Sequence, residues 1–383
     1  MPIIICHQFC ERYVKKLTAP FNVDAIQKNF GLKGTFAEYN QIHDGHINYT
    51  YKLVFEDGGV RTPYLLQKIN TQTFRDPDAL MENILGVTEH IRAYILKNGG
   101  DPDRETLNVI KTVDGKPYYR NEAAECYRMY KFITDAYTCQ QIENPTVFYN
   151  AARAFGDFQR RLADYPSEKL HEILPDFHNT AKRFENLKKA IAENKSGRRD
   201  TVAQEIAFAE ARESDAHVLV DLLAAGKLPL RVTHNDTKLN NVMFDNKTNQ
   251  GICVIDLDTV MPGLSLYDFG DSIRFGANHA AEDEKDLSKV WLDLNLFENY
   301  VRGYLESTGG SLTDMEIEYL PFSAKLLTFE CGMRFLTDYL DGDTYFHVNY
   351  PEHNLDRCRT QFALVADMEK KMDEMKAIVE KYR

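Results

Sequence analysis

The sequence predicts an α+β protein in two lobes: an antiparallel-sheet lobe over residues 1–133 and a mainly helical lobe over residues 134–383. Three observations carry this. Short alternating segments broken by turn signals occupy much of residues 34–133. From residue 145 onward the apolar residues recur near every 3.6 positions. Between helical stretches, one strand–loop–strand unit near residues 230–258 gathers polar side chains at chemically meaningful spacing.

The bulk properties agree. A length of 383 residues accommodates two lobes, and a hydrophobic content of 43% supports a core. A net charge of −12 argues against a general nucleic-acid binder. The seven cysteines are scattered without a Cys-x-x-Cys pair, which speaks against a zinc site and suits a reducing cytoplasm. The run Met1-Pro2-Ile3-Ile4-Ile5 is too short for a signal peptide, and no 18-residue apolar run exists. A cytoplasmic location is expected, with no membrane or nucleic-acid partner.

Taken in order, residues 8–30 read as a helix and a second short one. Residues 34–43 and 47–56 read as antiparallel strands joined through Asp44-Gly45-His46-Ile47-Asn48. The glycine there would let backbone approach a phosphate, and it equally suits an ordinary hairpin turn. Asp57-Gly58-Gly59 closes the second strand. Residues 63–69 form a third strand carrying Lys68. Asp76 then caps a helix with Pro77 at its first position and Glu82 in its first turns. A strand-three lysine paired with a glutamate of the next helix is one way to hold nucleotide phosphates. A surface lysine and a helix-face glutamate are the plainer reading. Residues 109–113 and 117–120 flank Asp114-Gly115 as a hairpin. Residues 126–133 form an apolar strand whose Met129, Tyr130 and Phe132 would offer backbone groups to an adenine, or simply pack. Its end, near 133–135, marks the lobe boundary.

Residues 145–163 form a core helix, and 178–226 two more helices around the charged stretch 193–200. Strands at 230–233 and 241–245 then flank His234-Asn235-Asp236-Thr237-Lys238-Leu239-Asn240-Asn241. His-x-Asp-x-Lys-x-x-Asn supplies parts that phosphoryl transfer needs: an Asp to take the acceptor hydroxyl's proton and an Asn to hold metal. A strand at 251–255 ends in Asp256, one hairpin from Asn241 and able to share Mg2+ with it. His234 braces the loop. Met261-Pro262-Gly263 reads as a loop. Asp268-Phe269-Gly270 imitates the protein-kinase metal motif, but it lies beyond that loop and Asp256 already holds the strand end. Asp268 and Asp271 are therefore assigned to capping a helix or bonding the Asp236 loop. Residues 282–383 are helical in pattern apart from 342–349, with a last helix at 364–383.

Together these residues resemble the aminoglycoside phosphotransferase and choline kinase superfamily. The likeness rests on residues 234–241, on Val254-Ile255-Asp256-Leu257-Asp258-Thr259-Val260-Met261-Pro262-Gly263, and on Tyr267-Asp268-Phe269-Gly270-Asp271. Within it, the N-acetylhexosamine 1-kinases are most similar. The resemblance implies a two-lobed protein-kinase-like fold and ATP-dependent, Mg2+-dependent phosphorylation of a sugar's anomeric hydroxyl. It implies Asp236 as base, Lys238 facing the transferred phosphoryl, Asn241 and Asp256 as metal ligands, and Lys68, Glu82, Met129, Tyr130 and Phe132 around the nucleotide. Thr259, Phe275, Arg334 and Tyr345, with Asp236, would contact the sugar. Aminoglycoside kinases commonly carry His where this chain has Lys238, which points toward the sugar-kinase branch. Arg334 and Asp338 share a helix face, so an intrahelical ion pair competes with an acceptor role, and the Gly342 turn can return Tyr345 beside them. Choline, homoserine or an aminoglycoside as acceptor, or a nucleotide-binding pseudokinase, are the alternatives.

Overall fold

A computed structural model describes residues 19–43, 47–142 and 144–383. The 44–46 turn, residues 8–18 of the expected first helix, and Cys6 and Cys10 lie outside the described residues. The described residues up to Asn70, with Val109–Phe132, form one compact unit; Thr71–Asn108 with Ile133–Arg383 form a second.

The first unit begins with helix α1 (Val23–Phe30), capped by the Asn22 side chain. Strands β1 (Thr35–Ile42), β2 (Tyr49–Asp57), β3 (Val60–Ile69), β4 (Tyr119–Arg120) and β5 (Cys126–Lys131) follow. They make one antiparallel sheet in the order β1-β2-β3-β5-β4. Phe21, Ile26, Phe30, Leu53, Phe55, Leu66 and Met129 are the centre of its core, with α1 packed on the sheet. The hairpin expected at 109–120 is only a turn. Thr112 N–H bonds the Lys116 carbonyl, while Ile110 N–H bonds Met129 and β4 pairs with β5 instead. The stronger partner for both arms is the apolar strand β5.

The second unit opens with α2 (Pro77–Lys97), capped by Asp76 with Pro77 in the first turn. The sequence places this helix in the first lobe. Its buried Asn83 explains the difference: the side chain donates to the carbonyls of His171 and Val260, at 2.8 and 2.9 Å, and accepts from His171 N–H. Then come α3 (Pro102–Glu105), β6 (Ala136–Thr138), α4 (Pro145–Arg161), α5 (Thr180–Glu193), α6 (Ala203–Glu210) and α7 (Glu213–Ala224). Three helices and a 3-10 turn thus stand where the sequence reads two helices. Next are β7 (Arg231–Thr233), β8 (Val242–Asp245), β9 (Gly251–Val254) and β10 (Met261–Gly263). Helices α8 (Ser265–Gly276), α9 (Leu294–Thr308), α10 (Asp314–Asp341), α11 (His353–Lys370) and α12 (Met372–Tyr382) complete it.

The expected loop at Met261-Pro262-Gly263 is strand β10. It pairs with β7, Pro262 opposite Val232, while β8 lies between β6 and β9. Proline is tolerated because a two-stranded ribbon leaves its missing N–H facing outward. The expected last helix breaks at Lys371 into α11 and α12. The core of this unit is helical: α4 packs on α9, and α10 packs on both α8 and α11. Gly270 permits the α8–α10 approach, since a Cβ there would stand 2.5 Å from the Ser323 carbonyl. No helix of the described residues is long and apolar enough to cross a membrane.

Candidate active site

The loop between β7 and β8 is held from below by the first turns of α8. The Asp268 carboxylate accepts the N–H groups of His234 and Asn235, at 3.0 and 2.8 Å, and the Gln159 side-chain amide. The Asp268 carbonyl accepts the Thr237 hydroxyl, and Asp271 accepts Thr237 N–H. Burial pushes the Asp268 carboxyl above its ordinary range, against the pull of His234 and the loop N–H groups. Burial also raises Asp271, but Arg274 first, then Lys238 and His178, bring it below the ordinary value. The Asp-Phe-Gly stretch is thereby explained without metal. Asp268 braces the loop, Phe269 is buried against Phe297, Tyr300 and Tyr304, and Gly270 allows two helices to meet.

His234 ties the loop to the neighbouring strand. Its Nδ1 accepts Asp236 N–H, so Nε2 carries the proton and donates to the Ile255 carbonyl at 2.9 Å. This is the bracing role expected for it. Asn235 sits at φ 65°, a left-handed conformation that turns Asp236 away from the core. The Asp236 side chain is 30% exposed and Lys238 35%, with their charged groups 2.9 Å apart. Burial lowers the Lys238 ammonium, yet the carboxylates of Asp236 and Asp271 outweigh it and raise it above the lysine norm. The loop therefore presents one carboxylate and one firmly charged ammonium together.

Asn241 and Asp256 are neighbours across the β8–β9 ladder. Val242 stands opposite Val254, and the Asn241 carbonyl accepts Ile255 N–H at 2.9 Å. The Asn241 amide nitrogen donates to the Asp236 carbonyl at 2.8 Å and approaches its carboxylate at 3.3 Å. That bonding turns its Oδ1 the other way, and among the described residues Oδ1 accepts no hydrogen bond. Asp256 has φ 60°, so the chain turns sharply at the strand end. One amide oxygen and one carboxylate suit magnesium, which keeps waters and takes its remaining ligands from phosphates. No group of three or more His, Cys, Asp or Glu suited to a metal occurs among the described residues.

On α10, Arg334 forms no ion pair with Asp338. Asp338 instead accepts the N–H groups of Thr344, Tyr345 and Phe346 and the Asn354 amide, at 2.8 to 2.9 Å. Those bonds, after Gly342 at φ 98°, fold the loop back so that Arg334 lies 5.9 Å from the Tyr345 ring. Phe177 and Phe346 complete an aromatic surround at 5.8 and 5.4 Å. Tyr345 itself is 71% exposed. Thr259, expected at the sugar, is 8% exposed and donates its hydroxyl to the His234 carbonyl, so it is a brace of the loop. Phe275 is exposed near the end of α8. Sequence reasoning missed His178, whose ring reaches the Asn235 carbonyl, and its partner Glu330. A charge inside the apolar run Leu326-Leu327-Thr328-Phe329-Glu330 was the available signal.

In the first unit, Lys68 is paired with Glu125 on the adjoining chain segment. That bond, with Asn121 and Tyr127, holds the Glu125 carboxyl down at about 2. Met129 and Tyr130 lie inside the sheet with buried side chains, and the Met129 carbonyl already accepts Ile110 N–H. Lys52 stands over the Phe132 ring at 4.7 Å. In the second unit, Glu82 bonds His171 at 2.6 Å.

A family model described as "Phosphotransferase enzyme family" matches residues 38–309. Among solved structures, a microcompartment-associated aminopropanol kinase is similar at TM-score 0.58 and 17% identity, over 89% of this chain and 94% of its own. A spectinomycin phosphotransferase in complex with ADP and spectinomycin follows at TM-score 0.55 and 13% identity, over 93% and 99%. A choline kinase from Cryptosporidium parvum Iowa II is similar at TM-score 0.51 and 14% identity, over 90% of this chain and 92% of its own. The sheet-bearing first lobe and helical second lobe match the protein-kinase-like fold of these structures.

Proposed function

This chain belongs to the phosphotransferase enzyme family, and on that premise we propose that it transfers the γ-phosphoryl of ATP to the anomeric hydroxyl of an N-acetylhexosamine, N-acetylglucosamine or N-acetylgalactosamine. Asp236 orients the acceptor hydroxyl and takes its proton. An anomeric hydroxyl is more acidic than an ordinary alcohol, so its base need not be strong. Lys238 stands beside that carboxylate and turns to the equatorial oxygens of the phosphoryl in flight. Magnesium, when held by Asn241 and Asp256, supplies charge neutralisation on the β- and γ-phosphates. The loose transition state makes positioning and charge the main terms, which the bracing by Asp268, Asp271 and His234 serves. Lys68 is proposed to contact nucleotide phosphates.

The observation that carries the acceptor class is the Arg334 surround. An aromatic cage open to solvent would suit choline. Here Phe177, Tyr345 and Phe346 already surround a guanidinium, and a cation would meet a like charge. Choline and aminopropanol are both cations, so the acceptors named for the similar structures do not suit this surround. A sugar does: Tyr345 covers C–H groups while the Arg334 fork reads hydroxyl or acetamide oxygens.

Arg334→Ala is expected to raise KM for the sugar by about tenfold to a hundredfold, the scale of a lost charge-assisted hydrogen bond, and Tyr345→Ala by severalfold. KM for ATP stays nearly unchanged in both. An acceptor panel with ATP consumption as readout, and phosphorus NMR of the product, test the reading. Phosphate on any other hydroxyl, or turnover of choline or an aminoglycoside without either sugar, overturns it.

A further inference from the structure

A buried pair that phosphoryl transfer does not use directly lies behind the Asp236 loop. His178 precedes α5 and Glu330 lies in the middle of α10, both buried. Glu330 Oε1 is 2.9 Å from His178 Nδ1, and among the described residues Oε2 has no hydrogen-bond partner. His178 Nε2 lies 3.2 Å from the carbonyl oxygen of Asn235. The Phe177 and Tyr267 rings stand 4.7 and 5.2 Å from the imidazole and restrict its rotation.

Both groups facing the ring are acceptors. A neutral imidazole has one N–H and can serve only one of them; its other nitrogen would present a lone pair to an oxygen. Both contacts are satisfied only when the His178–Glu330 pair carries one further proton. The Asn235 carbonyl belongs to the peptide plane that leads into Asp236. That plane is pinned at its N–H by His234 Nδ1 and at its carbonyl by His178. The other polar groups of Asn235 bond Asp268, Thr233 and Thr259, which hold its left-handed backbone but not the plane that follows.

The geometry points to the His178–Glu330 pair as a proton-dependent clamp that sets the orientation of Asp236. The clamp rests on the role given to Asp236 above, and His178 is a positioning residue. The charged and titratable groups around the ring are Glu330 on α10 and Asp271 and Tyr267 on α8; Arg183 on α5 and Arg334 on α10 act on Glu330. Burial pulls the imidazolium down, but Glu330 and then Asp271 outweigh it and raise His178 above the ordinary histidine value. A raised folded value means that the clamp is complete at low pH and is lost as pH rises through that value. Turnover therefore falls on the alkaline side, with both KM values nearly constant.

Two variants test this. In Glu330→Gln the amide donates to Nδ1, and a neutral ring keeps its Nε2–H on the Asn235 carbonyl. The clamp then needs no shared proton: kcat at neutral pH stays within about threefold of wild type and the alkaline fall disappears, whereas His178→Phe keeps the packing but lowers kcat by about tenfold to a hundredfold. Nitrogen NMR of the His178 ring reads the same thing without catalysis: a doubly protonated ring at pH 6.5 in wild type, a singly protonated one in Glu330→Gln. An unchanged alkaline fall in Glu330→Gln, wild-type kcat in His178→Phe, or a singly protonated wild-type ring beside an ionised Glu330 carboxylate at that pH overturns the clamp. Should no sugar turn over, the acceptor reading fails alone. Acceptor-free ATP hydrolysis and the ring NMR still decide the clamp, and they also decide it if His178→Phe does not fold.

Discussion

Asp236→Asn is expected to lower kcat by about a hundredfold or more while leaving ATP affinity nearly unchanged, the scale of a lost acid–base residue. The bonds that shape the loop do not use this carboxylate as their anchor. Asp236 N–H is held by His234, and its carbonyl by the Asn241 amide at 2.8 Å. The substitution therefore removes a charge and a proton acceptor from a loop that keeps its course. Lys238 loses one of its two carboxylates but keeps the influence of Asp271, so it remains charged. Single-turnover rates and calorimetric ATP titrations separate the two effects. A variant that turns over near the wild-type rate overturns the assignment of Asp236 as base.

Asp256 and Asp268 are expected to fail in opposite ways. Removing the Asp256 carboxylate lowers Mg-dependent ATP affinity by about a hundredfold or more, since several kcal/mol of metal-mediated charge stabilisation go with it. The informative variant is Asp256→Asn, because the backbone there has φ 60° and an alanine adds strain of its own. Asp268→Ala instead leaves the buried N–H groups of His234 and Asn235 without an acceptor. It is expected to cost about 2–5 kcal/mol of stability, with Mg-ATP binding by the folded fraction largely kept. Titrations of Mg-ATP and chemical denaturation on both variants check this. Metal dependence lost in the Asp268 variant and kept in the Asp256 variant overturns the view that the Asp-Phe-Gly stretch is a brace.

The legible part of this protein was local. Turn residues at Gly58 and Gly59, the Asp76 cap with Pro77, and the 3.6-residue period of α4 depend on neighbours in sequence, so their positions could be read directly. The courses of the Asp236 loop and the Asp256 strand end were legible for the same reason, each being a short segment set by its flanking strands. What failed was pairing. β10 was read as a loop because proline and glycine are strand breakers locally, and only the partner β7 makes a strand of them. Lys68 likewise takes Glu125 as an ion-pair partner, which order along the chain did not announce.

By itself, then, the sequence determined the two-lobed α+β class and supplied the residues proposed for phosphoryl transfer. The tertiary structure alone decided which side chains serve those residues. Asp338 is drawn from Arg334 by three backbone N–H groups, Thr259 turns inward to the His234 carbonyl, and His178 meets Glu330 from 152 positions away. The physical reason is that buried hydrogen-bonding groups must be satisfied by whatever the packing brings near. That nearness is a property of three dimensions, on which spacing along the chain is silent.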